Sequence, residues 1–382
     1  MNLFKITVIF LCFIFLSCGC GKTEMNNLAI PIAFGTDLIN NEVVIYIQIA
    51  KPSSPESGGG SEIPQFSVIS ASGRTVSEAS RNVSMFFSSI PLWSQIQVTV
   101  LSESMAKKGF DEQVDFLVRN RFASRTTTLV VAKDVTPEQV LNVNAYLENY
   151  SGMAIRKMLR NQEKLLGIYK HVSTENFLEA LAAPGIEPTI PMITIRKNGN
   201  EKQLLLEDTA VFKDAKMIGT LNEMESRGFN LLDPKVHDKG LFLIASPVNP
   251  NHKITLEISS SNLKVEPVID GAKIRMSIKM EMDGNLYEQS GTENLFTPAI
   301  FKLIEDSAEQ ELERQMVMAI NKARALNSDI LGWGHLIYRK DPQIWAKIGG
   351  DWDLIFTEIP YEITIDFNLR RSYLTDKTFV LR

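Results

Sequence analysis

The three cysteines are the residues of this chain best suited to covalent chemistry, and all of them lie in the first twenty positions, as Cys12, Cys18 and Cys20. A thiol can form a disulfide, bind a soft metal ion or carry a lipid. Residues 21–382 contain no cysteine, so they can form neither an internal disulfide nor a cysteine metal site. Chemistry at Cys18 or Cys20 must therefore belong to the leader rather than to the folded part.

The leader has the pattern of a secretory signal peptide. An apolar run of eleven residues, 6–16, follows a lysine; it has the length of a signal-peptide core, whereas a bilayer-spanning helix needs about 20 such residues. The run ends in Leu16-Ser17-Cys18-Gly19-Cys20, which resembles a bacterial lipobox. The small Gly19 favours Cys20 as the acylated residue, with Cys18 as the alternative. An ordinary signal peptide with incidental cysteines is the third interpretation. Two acyl chains would hold the mature protein stably on a membrane.

The other residues that could do chemistry form no recognisable catalytic or metal-binding pattern. The four histidines show neither an HExxH pair nor ligand spacing and are predicted to be structural: His171, His237, His252 and His335. The glycine run 58–60 is followed by Ser-Glu rather than by the Gly-Lys-Ser/Thr of a P-loop, which predicts a flexible loop. Asp351 and Asp353 lie two apart, so on a helix they would not face each other. The sequence predicts no enzyme, no metal site and no cofactor.

Composition excludes one class of partner. The chain has 40 basic and 45 acidic residues, a net charge of −5 and no basic block, whereas a nucleic-acid-binding protein needs a basic patch. An apolar content of 44% with 22% charged residues is typical of a globular protein with a real core. No segment after residue 20 is apolar over enough length to span a bilayer, so we expect membrane contact only through a lipid or through partners.

Strand and helix patterns alternate from the leader to residue 200. Residues 43–50 and 128–132 are apolar and β-branched, as strands are. Thr136-Pro137 followed by Gln139 predicts a helix start, because it combines a capping hydroxyl, proline at the first position and glutamine three residues later. Further helices are predicted at 153–168 and 174–181. We therefore predict an N-terminal α/β domain over 21–200.

Strands dominate the second half, apart from one long helix. Turn residues near 199 and 250 predict a small middle domain over 201–250 and a C-terminal α+β domain over 251–382. Asp283-Gly284 predicts a hairpin turn. A helix beginning at Thr297 has an apolar stripe at helical spacing, which is typical of a core-facing helix: Ile304, Ala308, Leu312, Met316, Ile320 and Ala323. Residues 329–348 are predicted to be mostly a second helix. The predicted fold class is α+β, with three mixed domains on largely antiparallel sheets and the long helix packed on a sheet.

Several segments, in order along the chain, resemble the Ger(x)C family of spore germination lipoproteins. The first is Ala33-Phe34-Gly35-Thr36-Asp37, at the end of an apolar strand, and the next is a helix start at Gly73-Arg74-Thr75. The most specific segment is C-terminal and reads Asp329-Ile330-Leu331-Gly332-Trp333-Gly334, then Arg339-Lys340-Asp341-Pro342, then Asp351-Trp352-Asp353. We call residues 329–356 the C-terminal signature. The family usually has Cys-Trp-Asp at the lipidated cysteine, where this chain has Cys20-Gly21-Lys22.

The resemblance implies a three-domain, non-catalytic lipoprotein subunit of a nutrient germinant receptor, tethered to the outer face of the spore inner membrane. It implies two integral-membrane subunits as partners, beside the membrane itself, and no nucleic acid. Within the signature, Trp333, Trp345 and Trp352 are expected to anchor helices to a sheet, and Gly332 and Gly334 to allow sharp backbone geometry or close approach. A docking face for a partner subunit is the alternative for this segment. The alternative function is a lipid-anchored substrate-binding protein that itself captures a small nutrient.

Overall fold

The computed structural model describes residues 27–51, 65–119, 124–145, 147–234, 240–271 and 273–372. Several predicted features lie outside these ranges. They are the signal peptide with Cys12, Cys18 and Cys20, the glycine-rich loop at 58–60, and His237.

A mixed eight-stranded sheet organises the N-terminal half, in the order β10-β9-β8-β7-β6-β2-β3-β4. Its inner strands β2, β6, β7 and β8 run parallel to one another, and the outer neighbours pair antiparallel. A separate short pair joins β1 to β5. The strands are β1 (Leu28–Ala29), β2 (Pro31–Ile39), β3 (Glu42–Ala50), β4 (Phe66–Gly73), β5 (Ile90–Pro91), β6 (Val98–Ser102), β7 (Thr128–Ala132), β8 (Thr189–Asn198), β9 (Glu201–Lys213) and β10 (Lys216–Leu221).

Helices cover both faces of this sheet, so its inner strands are buried on both sides, as parallel strands require. The helices are α1 (Val76–Asn82), α2 (Glu103–Lys108), α3 (Asp111–Arg119), α4 (Pro137–Leu141), α5 (Ser151–Leu165) and α6 (Thr174–Ala182). Side chains of α1, α2 and α6 share one core with the sheet, and α4 and α5 contribute to the core on the opposite face. The predicted start of α4 is confirmed: Thr136 and Gln139 form a reciprocal capping box with Pro137 at the first position.

The C-terminal half is built on a four-stranded sheet in the order β11-β12-β13-β14, with a parallel β13–β14 pair. The remaining elements are α7 (Glu223–Leu231), β11 (Leu241–Ala245), β12 (Lys253–Asp270), β13 (Lys273–Gln289), α8 (Pro298–Ala325), α9 (Trp333–Lys340), α10 (Pro342–Ile348), α11 (Trp352–Glu358) and β14 (Tyr361–Ser372).

The long helix α8 packs on this sheet, as the sequence predicts. All six residues of its predicted apolar stripe are buried. Its Glu309 and Glu305 carboxylates also accept hydrogen bonds from the backbone N–H groups of Phe367 (3.1 Å) and Leu369 (2.9 Å). These bonds cover part of the free edge of β14, which would otherwise present unpaired N–H groups. The predicted α+β class is confirmed.

Two local predictions are wrong. Asp283-Gly284 is not a turn but lies inside β13, where Gly284 pairs with both neighbouring strands. A Cβ at Gly284 would lie 2.3 Å from Cζ of Phe367, so the glycine makes room for that ring. The predicted helix over 329–348 is divided into α9 and α10, because Asp341 leaves the helical conformation and caps α10 ahead of Pro342.

Residues 201–250, predicted as a middle domain, are shared between the two sheets. Strands β9 and β10 extend the eight-stranded sheet, and β11 pairs with β12 in the four-stranded sheet. The reason is that each of these strands satisfies its backbone hydrogen bonds at an existing sheet edge. The boundary at 200 falls in the turn between β8 and β9, and the boundary at 250 falls between β11 and β12. As limits of domains, both stay predictions.

Candidate functional site

The C-terminal signature folds into three short helices whose tryptophans converge. Trp333 begins α9, Trp345 lies in α10 and Trp352 begins α11. The Trp345 and Trp352 rings lie 5.5 Å apart, and Trp333 lies 5.9 Å from Phe356, which is itself 6.3 Å from Trp352. Trp333 and Trp352 are only 1% and 5% exposed, whereas Trp345 is half-buried.

A buried carboxylate holds these helices together. Asp329 is 3% exposed, and its Oδ1 accepts a hydrogen bond from the backbone N–H of Trp333 at 3.1 Å. Its Oδ2 accepts from the backbone N–H of Gly334 at 2.8 Å and from the indole Nε1–H of Trp352 at 3.0 Å. The carboxylate thereby satisfies donors of the first turn of α9, where a negative charge also meets the positive end of the helix dipole.

Burial raises the pKa of the Asp329 carboxyl to about 7, while the N–H donors around it favour the charged form and lower the pKa. The sequence predicts no role for Asp329, although this residue is the first of the signature. The available signal was its position four residues before Trp333, where a carboxylate can reach the free N–H groups of a helix start.

Two glycines bring the signature against the N-terminal half. Gly185 has φ 69° and Gly334 lies against it: a Cβ on Gly334 would be 2.8 Å from Cα of Gly185 and 2.6 Å from Nε1 of Trp352. Gly332, with φ 68°, has the left-handed conformation that favours glycine. The chain can therefore approach itself at backbone distance only because residues 185 and 334 lack side chains.

Further hydrogen bonds surround this contact. The backbone N–H of His335 donates to the Gly185 carbonyl at 2.8 Å, and the backbone N–H of Glu187 donates to the Asp329 carbonyl at 2.9 Å. The Ser328 hydroxyl donates to the carbonyl of Phe212, in β9, at 2.7 Å. We call the contacts between residues 328–353 and residues 185–187 and 212–213 the joint, since they connect the two sheets.

A charged pair lies at the rim of the joint. Lys213, at the end of β9, bridges to Asp353 at 2.5 Å and to Glu187 at 3.4 Å. These carboxylates raise the pKa of the Lys213 ammonium, although its partial burial opposes them. Because the pairs are partly exposed, they contribute little stability on their own.

The joint has the chemistry of a structural connection. The Asp329 carboxylate accepts hydrogen bonds from backbone amides at the start of α9 and from the indole of Trp352, and each of these donors holds a helix or a ring in place. The surface of the signature is mixed: Arg339, Lys340, Lys347, Asp351 and Asp353 are exposed, beside Tyr338 at 39% and Leu354 at 71% exposure. A docking face for a partner on this segment would present these side chains and part of Trp345.

Two of the described histidines, His171 and His335, line the same pocket, and His252 lies elsewhere. His171 Nε2 lies 2.8 Å from Thr128 Oγ1, and burial, helped by Arg160 and Arg156, lowers the pKa of this imidazole to about 4. His252 Nδ1 lies 2.6 Å from Glu293 Oε1. Across the described ranges, no group of three or more His, Cys, Asp or Glu residues could hold a metal ion.

No described helix combines the length and the apolar character that crossing a bilayer requires.

Two family models match the chain one after the other. The family described as "Spore germination protein N-terminal domain" matches residues 21–195, and "Spore germination B3/ GerAC like, C-terminal" matches residues 207–373. The second match includes the whole C-terminal signature. The first ends within β8, just before the predicted boundary at residue 200.

Individual relatives are similar over most of their lengths. Spore germination protein KC of Bacillus subtilis (strain 168) is 27% identical over 378 residues, which cover 93% of this chain and 92% of the relative. Spore germination protein GerQC of Bacillus cereus is 24% identical and covers 84% and 86%, respectively. The crystal structure of the GerBC protein superimposes with a TM-score of 0.57 at 19% identity and covers 88% of this chain and 96% of that one. The shared fold therefore includes both sheets.

Proposed function

Because the chain belongs to the GerAC-like family of spore germination proteins and is a germinant receptor subunit of the C type, we propose that it acts as a lipid-anchored, non-catalytic scaffold of that receptor. Its partners are two integral-membrane subunits, and its place is the outer face of the spore inner membrane. Cys20 carries the diacylglyceryl group, with Cys18 as the alternative.

The observation that carries the scaffold role is the joint. The signature residues most specific to the family resemblance connect the two sheets, through the buried Asp329 carboxylate and the contact between Gly334 and Gly185. A connection of this kind would restrict movement of one half against the other, which suits a part that transmits position or force rather than one that closes around a substrate.

The leader supports the anchor. The apolar run at 6–16 ends in the lipobox-like segment with Cys18 and Cys20, and described structure begins at residue 27. The six residues from 21 to 26 span at most about 20 Å when extended. An acyl group on Cys20 would therefore keep the N-terminal sheet close to the membrane surface.

The test uses spores that carry one of five changes: Cys18→Ala, Cys20→Ala, both together, deletion of the gene, or Cys12→Ala as a control cysteine inside the apolar run. Nutrient-triggered germination and membrane fractionation are measured for each. We expect germination and membrane retention to fail in the double variant and in the variant of the acylated cysteine, and to persist for Cys12→Ala.

Two results would overturn parts of the proposal. Normal germination of the deletion strain on every nutrient would refute the receptor role. Full activity and membrane retention of the double variant would refute the anchor. The partner assignment is tested separately, by affinity purification of the tagged chain from detergent-solubilised spore membranes, where we expect both integral-membrane subunits in near-equal amounts.

A further inference from the structure

Four exposed apolar side chains belong to two segments that pair with each other at the start of the described chain. Met85 is 80%, Phe86 58%, Ile90 56% and Ile30 48% exposed. Single exposed apolar residues are ordinary on a protein surface. A group of them in one region instead marks a surface for another protein or for a membrane.

The pairing of β1 with β5 brings the two segments together. Leu28 is the partner of Ile90 in this parallel pair, so their side chains lie on the same face. Ala29, the next residue of β1, is buried in the core, and its carbonyl accepts a hydrogen bond from the backbone N–H of Leu92 at 3.0 Å. Because side chains alternate along a strand, the face with Leu28 and Ile90 is turned away from the core.

Met85 and Phe86 lie just before β5. They follow Val83, which is buried in the core, at the end of a single helical turn. Phe86 is four residues from Ile90, so at most about 14 Å of chain separates the two Cα atoms. We call residues 28–30 and 85–90 the N-terminal apolar surface.

The segments that form this surface contain no carboxylate. Residues 25–36 have no charged side chain and residues 79–102 have only Arg81, although 22% of the chain is charged. Arg81 is exposed in the last turn of α1. Lys51 is also exposed, and the backbone N–H of the residue before it donates to the Ile30 carbonyl at 3.0 Å. Cations beside an apolar surface, without carboxylates, favour contact with anionic lipid.

The proposed lipid anchor favours the membrane as the partner of this surface. Residues 21–26 separate Cys20 from the described chain and span at most about 20 Å when extended. An acylated Cys20 therefore holds residues 28–30 beside the bilayer. A surface held there meets the lipid at a high effective concentration, so a weak contact is sufficient.

We propose that the N-terminal apolar surface inserts into the outer leaflet of that membrane. The side chains of Met85, Phe86 and Ile90 enter the boundary between headgroups and acyl chains, where binding grows with the apolar area that is buried. Arg81 lies among the headgroups. The inference rests on the proposed anchor and deepens it, because a tether alone leaves the protein free to rotate, whereas a second contact fixes which side faces the bilayer.

The test supplies the tether artificially, so its result does not depend on acylation in the cell. The chain from residue 21 to 382, preceded by a histidine tag, is bound to vesicles of phosphatidylcholine and phosphatidylglycerol that contain a nickel-chelating lipid. This chain has no cysteine, so an environment-sensitive fluorophore can be attached at one introduced thiol. Ser88→Cys places it at an exposed position within the surface, and Ser260→Cys places it at an exposed position in β12.

Quenching by nitroxide groups on the lipid acyl chains measures insertion. We expect quenching of the reporter at residue 88 and none at residue 260. Phe86→Ser should lower the ratio of inserted to free protein about fivefold, because roughly half of a phenylalanine side chain is withdrawn from the apolar phase. Arg81→Gln should lower it about fivefold on these vesicles but not on vesicles of phosphatidylcholine alone. Leu243→Ser is the matched control: Leu243 is 55% exposed in β11, outside the surface, and its loss should change nothing.

Three results would overturn the inference. The first is equal quenching at residues 88 and 260, and the second is equal insertion of the Phe86→Ser and Leu243→Ser variants. The third is no insertion into vesicles, combined with loss of the integral-membrane subunits when the triple variant Met85→Ser, Phe86→Ser, Ile90→Ser is purified from spores, which would assign the surface to a partner protein. None of these results would refute the anchor, which the cysteine variants test separately in spores.

Discussion

Replacing Gly334 by alanine is the sharpest test of the joint. A Cβ at this position would lie 2.6 Å from Nε1 and 2.7 Å from Cε2 of Trp352, and 2.8 Å from Cα of Gly185. Neither a buried indole nor a backbone atom moves cheaply, so we place the overpacking cost near the upper end of the usual range, at about 3 kcal/mol. Displacing the indole also weakens its hydrogen bond to Asp329, which adds about 1–2 kcal/mol.

One favourable contribution opposes this cost. Gly334 lies in the first turn of α9, where alanine is preferred over glycine by about 1 kcal/mol. The net expectation is a loss of about 3–4 kcal/mol in the free energy of unfolding. Gly350→Ala is the matched control, because a Cβ there meets no atom within 4 Å. That change should be neutral or stabilising by up to about 1 kcal/mol.

Urea unfolding followed by tryptophan fluorescence is the appropriate assay. Three of the four tryptophans, Trp333, Trp345 and Trp352, belong to the signature, so the signal reports on the joint itself. If Gly334→Ala and Gly350→Ala unfold at the same urea concentration, then the close approach of the two glycines does not hold the halves together, and the scaffold argument loses its main support.

Three further predictions use the same measurement. Trp352→Phe keeps a ring but removes the indole donor to Asp329, so it should lower the free energy of unfolding by about 2 kcal/mol. Trp345→Phe should cost clearly less, because that indole does not donate to the carboxylate. Equal losses would contradict this role of the Trp352 indole. Gly284→Ala should cost about 3 kcal/mol, because its Cβ would enter the space of the Phe367 ring, and a neutral effect would count against the packing of that ring on β13. The lowered pKa of His171, about 4, means that the folded state binds fewer protons than the unfolded state between pH 6.5 and 4. Stability should therefore be full above pH 6.5 and fall by about 2 kcal/mol towards pH 4, and His171→Asn should reduce that pH dependence; an identical pH profile would refute the assignment.

Patterns that repeat within one element were readable from the sequence. The stripe of α8 recurs with helical spacing because one face of the helix is buried along its whole length. The start of α4 is equally local, since Thr136 and Gln139 hydrogen-bond to each other's backbone within a single turn and Pro137 occupies the first position. In both cases the residues that give the signal are the residues that make the contacts.

Features that depend on residues distant in the sequence could not be predicted from the sequence alone. Asp283-Gly284 has the composition of a turn, but β12 and β14 on either side hold it in a continuous strand. Asp329 is identified as the centre of the joint only once Trp352 and Gly334 lie around it. Local propensity does not indicate contacts between residues that are distant in the sequence.

The parallel pairing of β13 with β14 has a consequence for the order in which the protein is made. Parallel neighbours need a crossover, and here the crossover consists of α8, α9, α10 and α11 together with the joint. Synthesis runs from the N-terminus, so β13 keeps an unpaired edge until the whole signature has been translated. A truncated product would expose that edge together with the uncovered face of α8, which are features that proteases and chaperones recognise. The edge of β13 is therefore covered only once residues 361–372 have been made.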